Sequence, residues 1–228
     1  MAACGPVAIK ISEEMLIERG ILAKPYFKFL KLEKDKMPPK LHRSTIWQKA
    51  YALGVVENQY RNKLLCAEAL RAKKYGLNTL ILVQYKAHGH LLREMLIKAG
   101  VTADFIDGDS SQAERSEKLG SLGSGKLDVL IGSTILDVGV DVPSIGMIIL
   151  AGAGKAEVAL RQRIGRGLRE KKGSLPNVAF IVDVYDEHNN YLKDHSGERQ
   201  MVIKTTAGFG ENIVEDFDFP SYGLAKRA

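Results

Sequence analysis

TLILVQ at residues 79–84 is a short, apolar, β-branched run. Similar runs recur downstream as ADFID, LDVLIG, GMIIL and NVAFIVDV, at residues 103–107, 127–132, 146–150 and 177–184. Segments with apolar residues at helical spacing separate most of them, beginning with HLLREMLIKAG after the first. Strands that are apolar on both faces and alternate with helices are typical of a parallel sheet. The sequence therefore predicts an α/β fold with a parallel sheet and helices on both faces.

Elements are also predicted on either side of this core. KPYFKFLKLEK, at residues 24–34, has the pattern of an edge strand with basic residues pointing outward. Asn58 is placed to cap a long helix that ends just before Gly76. The segment with Pro38 and Pro39 predicts a linker or an exposed loop. At the other end, we expect the acidic and glycine-rich residues 201–228 to form a poorly ordered tail.

The composition excludes several classes of protein. The chain has 228 residues, a formal net charge of +6 and two cysteines, Cys4 and Cys66. Two cysteines exclude a disulfide scaffold, and no apolar run reaches the length of a transmembrane helix. We therefore expect a cytoplasmic protein, in the host cytoplasm if a phage encodes it, with no membrane partner. Basic blocks at residues 24–49 and 155–172 indicate anion contacts, although a solvated basic face would explain the first block equally well.

The most specific segment is QRIGRGLRE, at residues 162–170. On a helix, Gln162, Arg166 and Arg169 share one face, with Arg163 beside them. The two glycines leave room for a close approach to the backbone. Several guanidinium groups pointing one way suit a polyanion such as a triphosphate. The alternative is a basic amphipathic helix that faces water.

STILDVGVDVP, at residues 133–143, directly follows a predicted strand. Ser133 and Thr134 present hydroxyl groups and free N–H groups at the strand's carboxyl end, where open α/β sheets bind ligands. Gly139 permits a sharp turn, and the carboxylate of Asp141 could accept from ribose hydroxyls. The alternative is an ordinary loop with glycine and proline.

DGDSSQAER, at residues 107–115, also follows a predicted strand. Gly108 permits close backbone approach, and Gln112 and Arg115 lie one helical turn apart. The histidines of the chain lack the spacing of paired ligands, so no metal site is predicted.

Taken in order, LVQYK, DGDSSQAER, STILDVGVDVP and QRIGRGLR resemble motifs IV, IVa, V and VI of superfamily 2 helicases. The resemblance is strong over residues 79–185. Flanking segments such as GVVENQYRNK resemble those of bacterial and phage helicases related to XPB-type and restriction-motor proteins. The resemblance implies a RecA-like fold, namely the C-terminal domain of a two-domain motor.

The resemblance also implies roles for single residues. Arg166 and Arg169 match arginine fingers that reach the γ-phosphate of ATP, and Gln162 matches the residue that senses nucleotide. Three further residues are assigned to the nucleotide: Gly139, Asp141 and Arg163. Five others match positions that contact the nucleic-acid backbone: Gly108, Gln112, Arg115, Ser133 and Thr134.

The phosphate-binding half of the motor has no counterpart in this sequence. No segment satisfies G-x-x-x-x-G-K-[ST], the loop that cradles the phosphates of ATP. We therefore expect ATP and Mg²⁺ to be held mainly by a first RecA-like domain outside this sequence. The predicted organisation is a linker and extension at residues 1–50, the second RecA-like domain at 51–200 and a tail at 201–228.

The expected function is the second motor domain of an ATP-dependent DNA helicase or translocase, which would be inactive in ATP hydrolysis by itself. DNA is favoured by the resemblance alone, and RNA stays open. The alternatives are a non-catalytic basic nucleic-acid-binding module and the motor part of a restriction enzyme. A dinucleotide-binding domain is disfavoured because no G-x-G-x-x-G follows TLILVQ.

Overall fold

A computed structural model describes residues 12–133, 145–152 and 176–227. Its strands are β1 Lys24–Lys31, β2 Asn78–Leu82, β3 Ala103–Ile106, β4 Val129–Gly132, β5 Ile145–Leu150 and β6 Val178–Tyr185. Its α-helices are α1 Glu13–Glu18, α2 Trp47–Tyr51, α3 Gln59–Lys74, α4 Lys86–Lys98, α5 Gln112–Gly123 and α6 Asn190–Thr205. A π-helical turn, Ala52–Val56, continues α2. In these described parts of the chain, no helix is long and apolar enough to cross a membrane.

The six strands form one sheet in the order β1-β6-β5-β2-β4-β3. Every described strand pair is parallel. Consecutive strands are therefore joined by crossovers, which place helices on the faces of the sheet. The predicted α/β fold, a RecA-like parallel sheet with helices on both faces, is confirmed.

The core lies in two layers because successive strand residues point to opposite faces. On one face, Ile81 and Ile149 pack with Leu65 of α3 and Leu92 of α4. On the other face, the neighbouring strand residues pack with α5 and α6 through Leu122 and Ile203, among others. The central strand β5 is buried at all six positions, which explains its uninterrupted apolar sequence.

Short-range signals set the helix boundaries, and the predicted boundaries of α3 are confirmed. The side chain of Asn58 accepts from the N–H of Arg61 and caps α3, and Gly76 follows the helix end with a φ of 69°. Ser111 caps α5 by accepting from the N–H of Glu114. These caps satisfy N–H groups that have no partner within the helix.

Near one end of the described chain a segment joins the sheet as a strand, and near the other end a segment packs against the sheet. β1 pairs with β6 along its full length and forms an edge of the sheet, as its basic pattern predicted. At the other end, the rings of Phe217 and Phe219 each lie 4.9 Å from the ring of Phe180 in β6. The expectation of a poorly ordered tail is therefore wrong, because its aromatic side chains complete the core. The boundaries 1–50, 51–200 and 201–228 stay a prediction.

Candidate nucleotide and nucleic-acid site

The chain segments with site residues leave the same edge of the sheet. Because the strands are parallel, the residues after β2, β3, β4 and β5 all lie at the carboxyl edge. The N–H of Ser133 donates to the carbonyl of Ile106 at 3.3 Å, which places the end of β4 beside the loop after β3. The N–H of Gly152 donates to the carbonyl of Leu82 at 2.9 Å, which places the end of β5 beside the end of β2.

Three of the predicted nucleic-acid residues lie in the loop after β3 and in the first turn of α5. Gly108 and Gln112 are exposed, and Arg115 is half-buried. The Nη2 of Arg115 donates to the carbonyls of Asp107 and Gly108, at 3.1 and 3.0 Å. Arg115 therefore already supports the backbone of the loop, a role that its motif did not predict. Gln112 is the first residue of α5, one helical turn before Arg115.

Lys86 connects this loop to the end of β2. Its ammonium group pairs with Asp107 at 2.9 Å and also with Asp109. Hydrogen bonds to Asp109 and Asp107 raise the pKa of Lys86. The bond from Lys86 lowers the pKa of Asp107. Lys86 belongs to the segment LVQYK, but no role in the site was predicted for it because its acidic partners lie 21 and 23 residues further along the chain.

Of the predicted site residues in the segment 133–143, the structure describes Ser133. It is 8% exposed and directly follows β4. Thr134, Gly139 and Asp141 lie outside the described residues. The same holds for the arginine segment, with Gln162, Arg163, Arg166 and Arg169. Their assigned roles stay predictions.

The described residues show how the end of β5 is held against its neighbours. The Nη1 of Arg61 donates to the carbonyl of Ala151 at 2.8 Å, and Arg61 is fully buried. A Cβ at Gly152 would come within 3.0 Å of the N of Gln84, so the backbone after β5 lies tightly against the backbone after β2. The role of Arg61 was not predicted, because nothing in a helical sequence marks a charged residue as buried.

A buried polar cluster surrounds Arg61. Its Nε lies 3.7 Å from Oδ1 of Asp186, which directly follows β6 and is 1% exposed. Burial raises the pKa of Asp186, and the charge of Arg61 partly opposes that effect. Nearby, the Nε2 of His88 lies 2.9 Å from Oδ1 of Asn62. Burial, with a smaller effect of Arg61, lowers the pKa of His88 to about 3.

A metal site is not evident in the described ranges. Within residues 12–133, 145–152 and 176–227, no group of three or more His, Cys, Asp or Glu side chains is placed to hold an ion. At the carboxyl edge, the hydroxyl of Ser133, the ammonium group of Lys86 and the guanidinium group of Arg115 are donors of the kind that suit phosphate groups.

These features define a RecA-like α/β domain whose strand-end loops face one edge. Residues 60–171 match the family of the helicase conserved C-terminal domain. Residues 60–171 therefore carry a helicase C-terminal domain, as the motifs indicated.

The chain is also similar to individual proteins and solved structures. The chain is 31% identical over 164 residues to UvrABC system protein B of Caldanaerobacter subterraneus, a match that covers 66% of this chain and 25% of that protein. The crystal structure of T4 UvsW has a TM-score of 0.63 and 18% identity, covering 86% of this chain and 41% of that one. A DEAD box protein from Methanococcus jannaschii has a TM-score of 0.53 and 20% identity, covering 82% and 41%. The chain spans about a quarter of the length of the curated relatives it matches.

Proposed function

We propose that the chain is the second motor domain of an ATP-dependent DNA helicase or translocase, which works by closing on a first RecA-like domain. The supporting observation is the shared edge of the sheet. Ser133 and Gly108 follow adjacent parallel strands and therefore lie at one edge of the sheet, and the arginine segment comes after β5 in the sequence. Opening and closing of the cleft between two such domains would move the motor along a strand.

The nucleotide would be held by the arginine segment. Arg166 and Arg169 would bind the γ-phosphate of ATP and Gln162 would sense it, because guanidinium groups bind phosphate bidentately. Three residues would line the rest of the nucleotide: Gly139, Asp141 and Arg163. ATP and Mg²⁺ would supply the chemical step and be bound mainly by the first domain. The bond from Arg61 to Ala151 would support the start of the arginine segment.

The nucleic acid would be held through its backbone. Gly108, Gln112 and Arg115 after β3 would contact it together with Ser133 and Thr134 after β4. Contacts of this kind are to phosphates, so binding would be largely independent of sequence. DNA is the proposed strand because of the resemblance of the motifs, and RNA is the alternative. We place the protein in the cytoplasm, because two cysteines indicate no disulfide framework.

Mutation of the arginine segment tests the nucleotide assignment. In the longer protein that contains the first domain, Arg166→Ala should lower ATP turnover about 10³-fold, or roughly 4 kcal/mol of transition-state stabilisation. ATP affinity should change little. Arg93→Ala, which removes a partly exposed cation paired with Asp104, should leave turnover unchanged. Nucleic-acid-stimulated turnover by the 228-residue chain alone, abolished by Arg166→Ala, would contradict the proposal.

Salt titration tests the nucleic-acid assignment. The 228-residue chain should bind single strands with a Kd of roughly 10⁻⁴–10⁻⁶ M at physiological salt. Arg115→Ala should weaken binding and reduce the salt slope by about 0.7, the value for one lost phosphate contact. Gln112→Ala, which leaves the bonds of Arg115 to the loop intact, should weaken binding without changing the slope. If Arg166→Ala has the larger effect on strand binding, the non-catalytic basic module becomes the better explanation.

A further inference from the structure

Aromatic side chains from three separate segments meet near the carboxyl edge of the sheet. The ring of Trp47 in α2 lies 5.2 Å from that of Tyr51 and 4.4 Å from that of His195 in α6. Tyr51 in turn lies 4.9 Å from Tyr85, which follows β2. We refer to these four residues as the aromatic cluster. It connects the region after β2 to the helix that follows β6.

The aromatic cluster is anchored at its centre and open at its rim. Tyr51 is 2% exposed, whereas Tyr85 is 47% exposed. Two further apolar side chains next to the cluster in sequence are also exposed, Ile46 at 63% and Tyr191 at 45%. Rings that are fixed by edge contacts with other rings, yet open to solvent, can stack on a planar ligand.

The backbone around the aromatic cluster is fastened by Asn189, which is 1% exposed. Its Nδ2 donates to the carbonyls of three residues that precede Trp47, namely His42, Arg43 and Thr45, at 2.9, 3.2 and 2.9 Å. Its Oδ1 accepts from the N–H groups of Tyr191 and Leu192 at 3.0 and 3.3 Å. The start of α6 and the entry to α2 are therefore held together before any ligand binds, which lowers the entropic cost of binding.

The charge around the aromatic cluster suits a polyanion. Residues 40–56 contain no Asp or Glu, and their Lys and Arg side chains are exposed: Lys40, Arg43 and Lys49. The first turn of α6 adds Lys193, with Asp194 beside it. The aromatic cluster also borders the loop of Gly108, because Lys86, adjacent to Tyr85, pairs with Asp107.

From these observations we propose that the aromatic cluster is a base-stacking site for single-stranded nucleic acid, where Tyr85 and Trp47 contact bases. The proposal rests on the nucleic-acid function proposed above and adds contacts to bases to the contacts with phosphates. Stacked aromatic rings beside basic side chains are the usual means of binding single strands without sequence preference, since every base has a π-face. The competing occupant of the same rings is a surface of the first RecA-like domain.

Trp47 is the single tryptophan of the chain, so its fluorescence reports on the aromatic cluster directly. The 228-residue chain is titrated with a short oligothymidylate and with an abasic strand of the same length. Both strands carry the same phosphates. The base-bearing strand should quench Trp47 and bind about fivefold or more tightly than the abasic strand.

Variants of Tyr85 assign this preference to the aromatic cluster. Tyr85→Ala should remove most of the preference for the base-bearing strand, and Tyr85→Phe should retain it because the ring remains. Ile97→Ala is the matched control, since Ile97 is also 47% exposed but lies at the far end of α4. It should leave both affinities unchanged.

Equal affinity for the two strands, without quenching, would overturn the base-stacking proposal and leave the phosphate-binding function standing. If Trp47 fluorescence then changed only on addition of the first RecA-like domain, the aromatic cluster would be assigned to domain contact. Absence of binding to either strand would instead overturn the proposed nucleic-acid function itself.

Discussion

Arg61 and Ala151 are joined by a hydrogen bond of 2.8 Å, although 90 residues separate them in sequence. The bond connects the first turn of α3 to the residue that directly follows β5. The bond therefore holds the backbone at the carboxyl end of β5 against α3. A buried guanidinium group so positioned supports the fold by joining α3 to the sheet.

Removal of Arg61 should destabilise the domain strongly. Arg61→Met leaves the carbonyl of Ala151 without its donor and the buried carboxylate of Asp186 without the charge 3.7 Å away. Removal of one member of a buried charge pair lowers stability by roughly 3–5 kcal/mol. Urea denaturation measures the change in the free energy of unfolding. Replacement of both residues, Arg61→Met with Asp186→Leu, should recover part of the loss because no charge of the pair remains buried.

The control for this prediction is Arg93→Met. Arg93 is 41% exposed in its side chain and pairs with Asp104 at 3.4 Å, so its loss should cost about 1 kcal/mol or less. Equal losses for Arg61→Met and Arg93→Met would contradict a special role for the buried pair.

His88 should make the domain sensitive to acid. Its pKa is lowered from 6.5 to about 3 by burial and by Arg61. Between these two values the unfolded chain binds a proton that the folded chain does not, so stability falls as the pH drops from about 6.5 toward about 3. The slope contributed by one such group is at most about 1.4 kcal/mol per pH unit.

His88→Gln should flatten this pH dependence, because glutamine keeps a donor near Asn62 but does not titrate. Urea denaturation at several pH values between 7 and 4 provides the measurement. His90→Gln, an exposed change on the same helix, should keep the wild-type profile. Identical profiles for the wild type and His88→Gln would refute the prediction.

Substitution of alanine for either of two helical glycines should change stability, in opposite directions for the two positions. Gly89 in α4 is buried, and a Cβ there would overlap the ring of Phe105. Gly89→Ala should therefore lower stability by about 1–3 kcal/mol. Gly197 in α6 is exposed, with no atom within 4 Å of an added Cβ. Gly197→Ala should raise stability by about 0.5–1 kcal/mol, because alanine favours the helix. Thermal or urea unfolding of both variants measures whether each substitution raises or lowers stability.

Cys66 should react with thiol reagents only after the domain opens. It is 6% exposed in α3, and burial raises the pKa of its thiol to about 11. The thiolate is the reactive form, so burial and the high pKa both slow the reaction. A Cys4→Ser variant isolates this thiol. Its reaction with a disulfide reagent should be slow in buffer and accelerate as urea unfolds the chain. Immediate reaction in buffer would show that the region around α3 opens readily.

Local sequence determined much of this fold. Each predicted core strand forms, because a strand buried on both faces is recognisable as a continuous apolar run. Asn58 caps the helix that its position predicted, since a cap depends only on residues three positions apart. The order of the motifs along the chain also indicated the helicase C-terminal domain, and the family match over residues 60–171 confirms it.

The candidate site was predicted only in part. Gly108 and Ser133 were singled out because they follow predicted strands, and the resemblance implied their role. The sheet brings those strand ends together, and the role itself stays a prediction. The arginine segment was assigned from its sequence alone, and its roles stay predictions. Neither the pairing of Lys86 with Asp107 nor the burial of Arg61 could be predicted, because both depend on partners distant in sequence.

Tertiary structure alone decided the remaining features. It placed β1 beside β6, packed Phe217 and Phe219 of the acidic tail on Phe180, and gathered Trp47, Tyr51, Tyr85 and His195 into one cluster. The physical reason is how far apart in sequence the interacting residues lie. Apolar periodicity and helix caps involve neighbours in sequence, whereas burial of a charge or contact between rings depends on which distant segments the folded sheet brings together.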